Sequence, residues 1–394
     1  MNVSTHRRHW LATAIAAALL PVAAQAADSG TTFSYSGYIK LDMIYSRFSE
    51  GEVAGNSIAR DFYVPSLIPT SNGSGDSYSA FDAHAKQTRF IFATSTPLAD
   101  GTTFGTHIEM DFMSALDGDE RISNGYEPEV RQAFVKWNGW LAGQAWSTFQ
   151  DVAALPDAID FIGPSNSTVF IRQAQVRYST GNWMFAVENP ETTVTPFGGG
   201  TRLSPDDDAV PDFTARYHAK TDWGHFSIGG VLRQLNIDNP AVGATPAVDS
   251  SDTGFGVSLS GRFNINTDND IRAMVTTGSG IGRYVGLNTA NDAVLDADGD
   301  LDAIDLTSAF VAWRHNWSAN ARSTFMVSTL DIDNDTDLTG EAVTVSVDSL
   351  HANFIYSPFP KLDVGVELTR ATRELENGDD GDMDRLQFAI KYAF

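Results

Sequence analysis

The chain has 394 residues, a formal net charge of -24 and no cysteine, which excludes disulfide scaffolds, cysteine-ligated metal sites and cysteine nucleophiles. Its negative charge and its dispersed lysines and arginines would repel polyphosphate, so no nucleic-acid partner is expected. Because only 19% of the residues are charged while 11% are aromatic, we expect an ordered protein in spite of its charge.

The first 26 residues have the features of a secretory signal peptide. Two arginines precede a largely apolar run over residues 10–24, and a small-x-small cleavage sequence ends at Ala26. The apolar run of roughly 15 residues is shorter than the roughly 20 that a membrane-spanning helix needs. We therefore expect an exported protein whose mature part, residues 27–394, forms a single domain.

The sequence after residue 26 contains no apolar run of spanning-helix length. A membrane location would therefore require a closed β-barrel, because lipid leaves the backbone satisfied only in helices and barrels. The remaining option is a soluble exported β protein. Apolar and polar residues alternate in the first predicted strand, as expected for one face in lipid. Its apolar face carries Phe33, Tyr35, Ile39, Leu41, Met43 and Tyr45.

Similar alternating runs recur along the chain and, with the first, predict sixteen strands. The later runs are 88–96, 103–113, 130–137, 140–148, 169–178, 183–188, 213–220, 226–235, 255–263, 271–277, 306–314, 321–330, 343–356, 362–369 and 385–394. The predicted fold class is all-β, a transmembrane up-and-down antiparallel β-barrel.

The predicted connections alternate between short and long. The short ones are 97–101, 138–139, 179–182, 221–224, 264–270, 315–320 and 357–360. The long, polar ones are 48–83, 114–128, 149–168, 189–211, 236–253, 278–303, 331–342 and 374–383. A barrel would gather the short turns at the periplasmic rim and the long loops at the extracellular rim, whereas a soluble sandwich has no reason to sort them.

Aromatic residues mark the ends of the predicted strands. Tryptophans within or beside the short turns would lie at a membrane interface, although hairpin packing is an alternative role. They are Trp137, Trp140, Trp183, Trp223 and Trp317. The last strand alternates to its end at Phe394, and closure against the first strand would remove an exposed apolar edge.

Several motifs resemble the DcaP-like porin family of Gram-negative outer membranes. They are DFYVPS at 61–66, KQTRF at 86–90, GQAWSTF at 143–149 and RQAQVRY at 172–178. The resemblance implies a homotrimer of sixteen-stranded barrels in the outer membrane, which passes small anionic solutes, dicarboxylates among them. The terminal aromatic Phe394 resembles the signal that the barrel assembly machinery recognises.

With the apolar parity turned to lipid, the opposite parity lines the lumen. The basic residues on it are Lys40, Arg89, Arg131, Arg177, Arg216, Arg233, Arg262, Arg272 and Arg322. The acidic ones are Asp42, Glu109, Asp111, Glu188, Asp363 and Glu367. Arginines that face water can bind carboxylate solutes through paired hydrogen bonds. The alternative is that each arginine pairs with a lumenal acid and stiffens the wall.

Two long connections are candidates to enter the barrel. By analogy with porins, the one at 149–168, with Asp151, Asp160 and Phe161, would narrow the channel after the fifth strand. The connection at 48–83 is too apolar for a solvated loop. It would fold inward, clasp a neighbouring subunit or pack on the barrel rim.

These features favour a passive porin for small anions, with no enzymatic activity, cofactor or dedicated metal site. The alternatives are an adhesin or receptor that works through its loops and a barrel hydrolase, for which the sequence offers no Gly-x-Ser-x-Gly or His-Glu-x-x-His motif. Aspartate-rich loops such as 296–302 are expected to be solvated or to meet lipopolysaccharide phosphates through divalent ions, rather than to form a structural calcium site.

Overall fold

The computed structural model describes residues 30–113, 124–239 and 248–394. The proposed signal peptide at 1–26 lies outside the described residues, as do most of the connection at 114–128 and the middle of that at 236–253. No helix within the described ranges combines the length and the apolar character that a membrane crossing needs.

The described residues form one large antiparallel sheet that closes on itself, and one small sheet. The strands in chain order are β1 (Thr32–Phe48), β2 (Tyr78–His84), β3 (Arg89–Pro97), β4 (Thr103–Asp111), β5 (Glu129–Trp137), β6 (Trp140–Trp146), β7 (Arg172–Thr180), β8 (Trp183–Glu188), β9 (Val194–Thr195), β10 (Asp212–Thr221), β11 (Gly224–Asn239), β12 (Val248–Asn264), β13 (Asn269–Ser279), β14 (Ala293–Leu295), β15 (Leu301–Ala303), β16 (Asp305–Ser318), β17 (Ala321–Asp333), β18 (Thr344–Phe359), β19 (Leu362–Leu375) and β20 (Asp380–Ala393). A single turn of helix, α1, covers Thr336–Thr339.

The large sheet is a closed barrel with sixteen strand positions. β1 pairs with β20 from Tyr38↔Ala393 to Phe48↔Met383, which joins the two ends of the sheet. β2 and β3 share one position, because β2 pairs with the second part of β1 and β3 with the first part. The predicted barrel is thus confirmed, with one strand position interrupted at residues 85–88.

Several long connections are shorter than predicted; 236–253, for example, loses residues to β11, which ends at Asn239, and to β12, which begins at Val248. β2 lies within the predicted connection 48–83, because Phe81 is the one large apolar residue on its exposed face and the alternation is weak. The predicted loop 374–383 is mostly strand, since β19 and β20 continue to Leu375 and from Asp380. In these extensions the neighbouring strands are joined by polar pairs such as Arg370 with Asp382. A search for alternating apolar residues therefore does not detect the extensions.

The outer face of the barrel is apolar and exposed, as lipid contact requires. Phe33 is 64% exposed, Leu232 52% and Leu368 59%. The five tryptophans predicted near the short turns are all exposed. At the tightest hairpin, Asn138 and Gly139 have φ angles of 46° and 86°, as a two-residue type I′ turn demands.

The apolar core lies inside the barrel, towards the end that carries the long connections. Residues 49–77, residues 147–171, which we call the inward connection, and residues 280–304 pack together against the wall strands. Buried members of this core are Phe48, Tyr63, Phe149, Met274, Tyr284 and Phe310. The small sheet joins β14 to β15 and β9, and so ties the connection after β13 to the one after β8. Of the three roles considered for 48–83, inward folding is the one observed.

Candidate functional site

The first part of the inward connection contacts strands β11 to β13. Asp151 Oδ2 accepts a hydrogen bond from Ser260 Oγ at 2.9 Å and lies 3.0 Å from His225 Nε2. The carbonyl of Leu155 accepts a hydrogen bond from Arg272. The segment therefore leaves β6 and lies against the wall several strands away.

Its second part continues to strands β17, β19 and β1. Arg322 Nε donates to Asp157 Oδ2 at 2.6 Å, and the backbone N–H of Ile159 donates to Glu367 Oε2 at 2.7 Å. Lys40 Nζ donates to the carbonyl of Ile159 at 2.6 Å. The inward connection thus extends across the lumen instead of covering the rim.

Asp160 joins the inward connection to residues 49–77. Its Oδ1 accepts from the N–H of Tyr63 at 3.0 Å, and its Oδ2 accepts from the N–H groups of Ile162 at 3.1 Å and Gly163 at 3.2 Å. Burial raises the pKa of Asp160, an effect that the charge of Arg385 opposes. With its oxygens occupied in this way, the carboxylate organises two chain segments.

Phe161 belongs to an aromatic cluster beside the wall. Its ring centroid is 5.1 Å from that of Phe62 and 5.9 Å from that of Phe170. The guanidinium of Arg131 lies 5.2 Å from the Phe161 centroid, a cation–π contact. Phe161 therefore packs one flank of the inward connection onto β5.

Arg89 and Arg131 share two carboxylates on β4. Arg89 lies 3.3 Å from Glu109 and 2.9 Å from Asp111, and Arg131 lies 2.7 Å and 2.9 Å from the same residues. The group holds two positive and two negative charges, and Arg131 is 1% exposed. The cross-strand pairing considered from the sequence describes these two arginines.

Most other predicted lumenal cations also have acidic partners. Arg216 lies 3.7 Å from Asp151, and Arg272 lies 2.9 Å from Asp270. The remaining pairs join Lys40 to Asp42 at 3.0 Å, and Arg322 to Asp157 at 2.6 Å and Asp363 at 3.2 Å. These cations hold the inward connection or neighbouring strands.

Arg233 is buried beneath the connection 280–304. Its Nη1 lies 2.9 Å from Asp292 and donates to the carbonyl of Gly280 at 3.1 Å, while its Nε lies 3.4 Å from Asp212. The Tyr284 ring lies 5.5 Å from the guanidinium. The side chain is fully enclosed, so Arg233 lies inside the barrel without contact with water.

Arg177 and Arg262 differ from the other predicted arginines. Within the described ranges neither has a carboxylate within ion-pair distance, and the Nε of each is buried without a hydrogen-bond partner. Lys136 and Lys220, which the sequence analysis did not select, also face the lumen, and no ion pair joins them to a described residue. These four residues, here called the lumenal cation set, lie towards the short-turn ends of β5, β7, β10 and β12.

Sequence reasoning missed several further cations inside the barrel. Arg385 lies on the same inward face of β20 as Gln387 and is 2% exposed. Its Nη1 lies 3.8 Å from Asp160 Oδ1. Arg314 lies 2.8 Å from Asp270. Both lie within the predicted runs 306–314 and 385–394, so strict alternation applied to those runs would have found them.

One buried cluster contains a serine, a histidine and a carboxylate linked in the order found in serine hydrolases. Its members are Ser349, His351 and Glu367. His351 Nε2 lies 3.1 Å from Ser349 Oγ, and its Nδ1 lies 3.3 Å from Glu367 Oε1. All three are buried, and Ser349 Oγ also donates to Asn166 Oδ1 at 3.0 Å. The inward connection covers this group, so we interpret it as an anchor for that connection.

The acidic segment at 296–302 forms the tip of the β14–β15 hairpin. Asp296 Oδ1 accepts from the N–H groups of Asp298 at 2.9 Å and Asp300 at 2.8 Å. Because it accepts these two backbone hydrogen bonds, Asp296 stabilises the turn of the hairpin. They leave the other carboxylates at the outer end of the molecule.

The fold has counterparts among known proteins. The model of the DcaP outer membrane protein family matches residues 21–394. The chain belongs to this family. It is therefore an outer membrane protein, as the sequence motifs predicted, and the family together with the barrel fold supports a channel function. No protein with a curated description matches the chain.

Three solved structures illustrate the shared fold. The outer membrane channel DcaP of Acinetobacter baumannii is 22% identical, with a TM-score of 0.73 over 93% of this chain and 98% of that one. The anion-selective porin from Comamonas acidovorans is 11% identical, with a TM-score of 0.57 over 92% and 100%. The trimer form of OmpT, an outer membrane protein of Vibrio cholerae, is 12% identical, with a TM-score of 0.53 over 92% and 99%.

Proposed function

We propose that the protein is a passive porin that admits small hydrophilic anions, dicarboxylates among them, through a lumen narrowed by the inward connection. The lumenal cation set carries this proposal, because no described carboxylate lies within ion-pair distance of any of its four charges. The acids Glu109, Asp111, Asp270 and Asp363 are held by arginines. Glu188 has no ion pair with a described residue and accepts hydrogen bonds from Thr148, Gln173 and Thr214. The lumenal cation set therefore supplies a local excess of positive charge near the short-turn ends of the strands.

The cation set suits carboxylate solutes. A guanidinium presents planar paired donors to a carboxylate and keeps its charge at all physiological pH values. Weak binding at separate positions allows a solute to enter and to leave again. The acidic outer loops oppose this attraction only over about 8 Å at physiological ionic strength.

Reversal potentials in planar bilayers under a salt gradient test the selectivity. Replacing Arg177 and Arg262 together by alanine should lower the anion-to-cation permeability ratio by roughly three- to tenfold, because focused lumenal charge enriches counter-ions. The control is Arg370→Ala, which removes an exposed cation on the outward parity of β19.

An unchanged ratio in the double variant, or a decrease equal to that of the control, would contradict the selectivity. The absence of any current from the wild type would instead favour a plugged receptor or adhesin.

We further propose that the protein forms a homotrimer, that the barrel assembly machinery recognises Phe394, and that lipopolysaccharide surrounds the outer loops. The porin fold shared with a protein that has a trimer form supports the trimer. The ring centroid of Phe394 lies 6.3 Å from those of Tyr35 and Phe90 at the barrel seam. The side chain is therefore available to the assembly machinery only before the barrel closes. Native mass measurement in detergent is expected to give three chains, and a monomeric mass would contradict the trimer.

A further inference from the structure

Two histidines and an aspartate meet where the inward connection first contacts the barrel wall. His218 on β10 and His225 on β11 flank one hairpin, and their ring centroids are 4.9 Å apart. Asp151 of the inward connection reaches this pair, with its Oδ2 3.0 Å from His225 Nε2. One donor atom from each residue lies within 4.8 Å of the other two.

This donor set fits a transition-metal ion. Two imidazoles and one carboxylate are ligands that Zn²⁺ accepts, with bonds of about 2.0 to 2.2 Å and a fourth position left for water or substrate. Such bonds place neighbouring donors about 3.4 Å apart. The distance between His225 Nε2 and Asp151 Oδ2, 3.0 Å, is close to this spacing, and the His218 donor lies within 4.8 Å of both.

A second observation points to a missing ligand. His218 Nδ1 is buried without a hydrogen-bond partner among the described residues, and a buried polar atom in that state is costly. His225 and Asp151 are almost fully buried while His218 is half-buried. The cluster is therefore enclosed on the side of the wall and reachable past the His218 ring.

We propose that Asp151, His218 and His225 form a binding site for a divalent transition-metal ion such as Zn²⁺, which fastens the start of the inward connection to the β10–β11 hairpin. A metal ion needs the lone pair of a neutral imidazole and a deprotonated carboxylate, so the ion would replace the contact between His225 Nε2 and Asp151 Oδ2. Arg216 lies 3.7 Å from the other oxygen of Asp151, so its positive charge lowers the affinity of the site for a metal cation. A fourth position would remain for water or a solute carboxylate.

Isothermal titration of Zn²⁺ into the chelator-treated full chain in detergent tests the site. We expect a saturable site for one ion per chain. His218→Ala should weaken it by about tenfold or more, because losing even an outer-shell partner typically costs that much. Asp151→Asn should do the same with little change in side-chain volume. His107→Ala, at a lumenal histidine stacked on Phe134 outside the cluster, should bind like the wild type.

Calcium and hydrogen exchange complete the test. Excess Ca²⁺ should not displace the bound Zn²⁺, because Ca²⁺ prefers oxygen ligands; displacement would assign the signal to the acidic loops. Zn²⁺ should slow amide exchange over residues 149–155 in the wild type and not in His218→Ala. The absence of a saturable site in a wild type with the β-sheet circular dichroism of a barrel, or equal binding by wild type and His218→Ala, would overturn the proposal.

Discussion

Replacing residues 149–168 by a short Gly–Asn turn is expected to raise the single-channel conductance by roughly twofold or more, since a sixteen-stranded barrel without an inward segment leaves a wide aqueous channel. The two ends of the inward connection are adjacent, because the N–H of Ser147 donates to the carbonyl of Ile171 at 3.0 Å. A tight turn can therefore close the gap without straining β6 or β7. Conductance in planar bilayers measures the effect.

The control for this deletion shortens the exposed tip at 296–300, which removes loop residues without touching the lumen. Its conductance should equal that of the wild type. A deletion variant that retains the barrel's circular dichroism but conducts like the wild type would contradict a narrowing role for the inward connection. A deletion variant that no longer forms a barrel would show that the inner core is needed for folding. In that case, Asp157→Ala with Asp160→Ala, which releases the connection without shortening it, should raise the conductance.

Arg233→Ala is expected to lower the free energy of unfolding by about 3 to 5 kcal/mol, because it leaves buried carboxylates without their cation. Asp292 and Asp212 lie 2.9 Å and 3.4 Å from Arg233, and all three side chains are fully buried. Denaturant unfolding in detergent, followed by tryptophan fluorescence, gives the difference.

Two comparisons separate this effect from the loss of side-chain volume. Arg233→Met combined with Asp292→Asn and Asp212→Asn should recover much of the loss, because no member of the fully buried network then carries an unpaired charge. Arg370→Ala removes an arginine that is 57% exposed beside Asp382 and should cost less than about 1 kcal/mol. If the two single variants lose the same stability, the buried network has no special role.

The barrel could be predicted from the sequence because lipid imposes a period of two on every strand that crosses it. The first strand shows this directly, since Phe33, Tyr35 and Ile39 are exposed on one face. The rule fails where strands leave the lipid. Beyond that band, Arg370 and Asp382 hold neighbouring strands together by charge, and hydropathy gives no signal for the strand ends.

The interior was harder to predict, because parity assigns a side chain to the lumen without saying what covers it. Arg233 and Arg177 both point to the lumen, yet the first is enclosed by the connection 280–304 and the second has no described carboxylate within ion-pair distance. The difference depends on contacts between segments far apart in the chain. Such contacts, like that of Asp160 with Tyr63, leave no local pattern.

The seam between the first and last strands also closes the inner core. Phe48 and Met383 face each other across β1 and β20, and both belong to the cluster that includes Tyr284 and Phe310. A nascent chain that lacks its final strand has no opposite wall for this cluster to pack on. We therefore expect barrel closure and burial of this apolar cluster to occur together, and a chain truncated before β20 should expose the cluster to water.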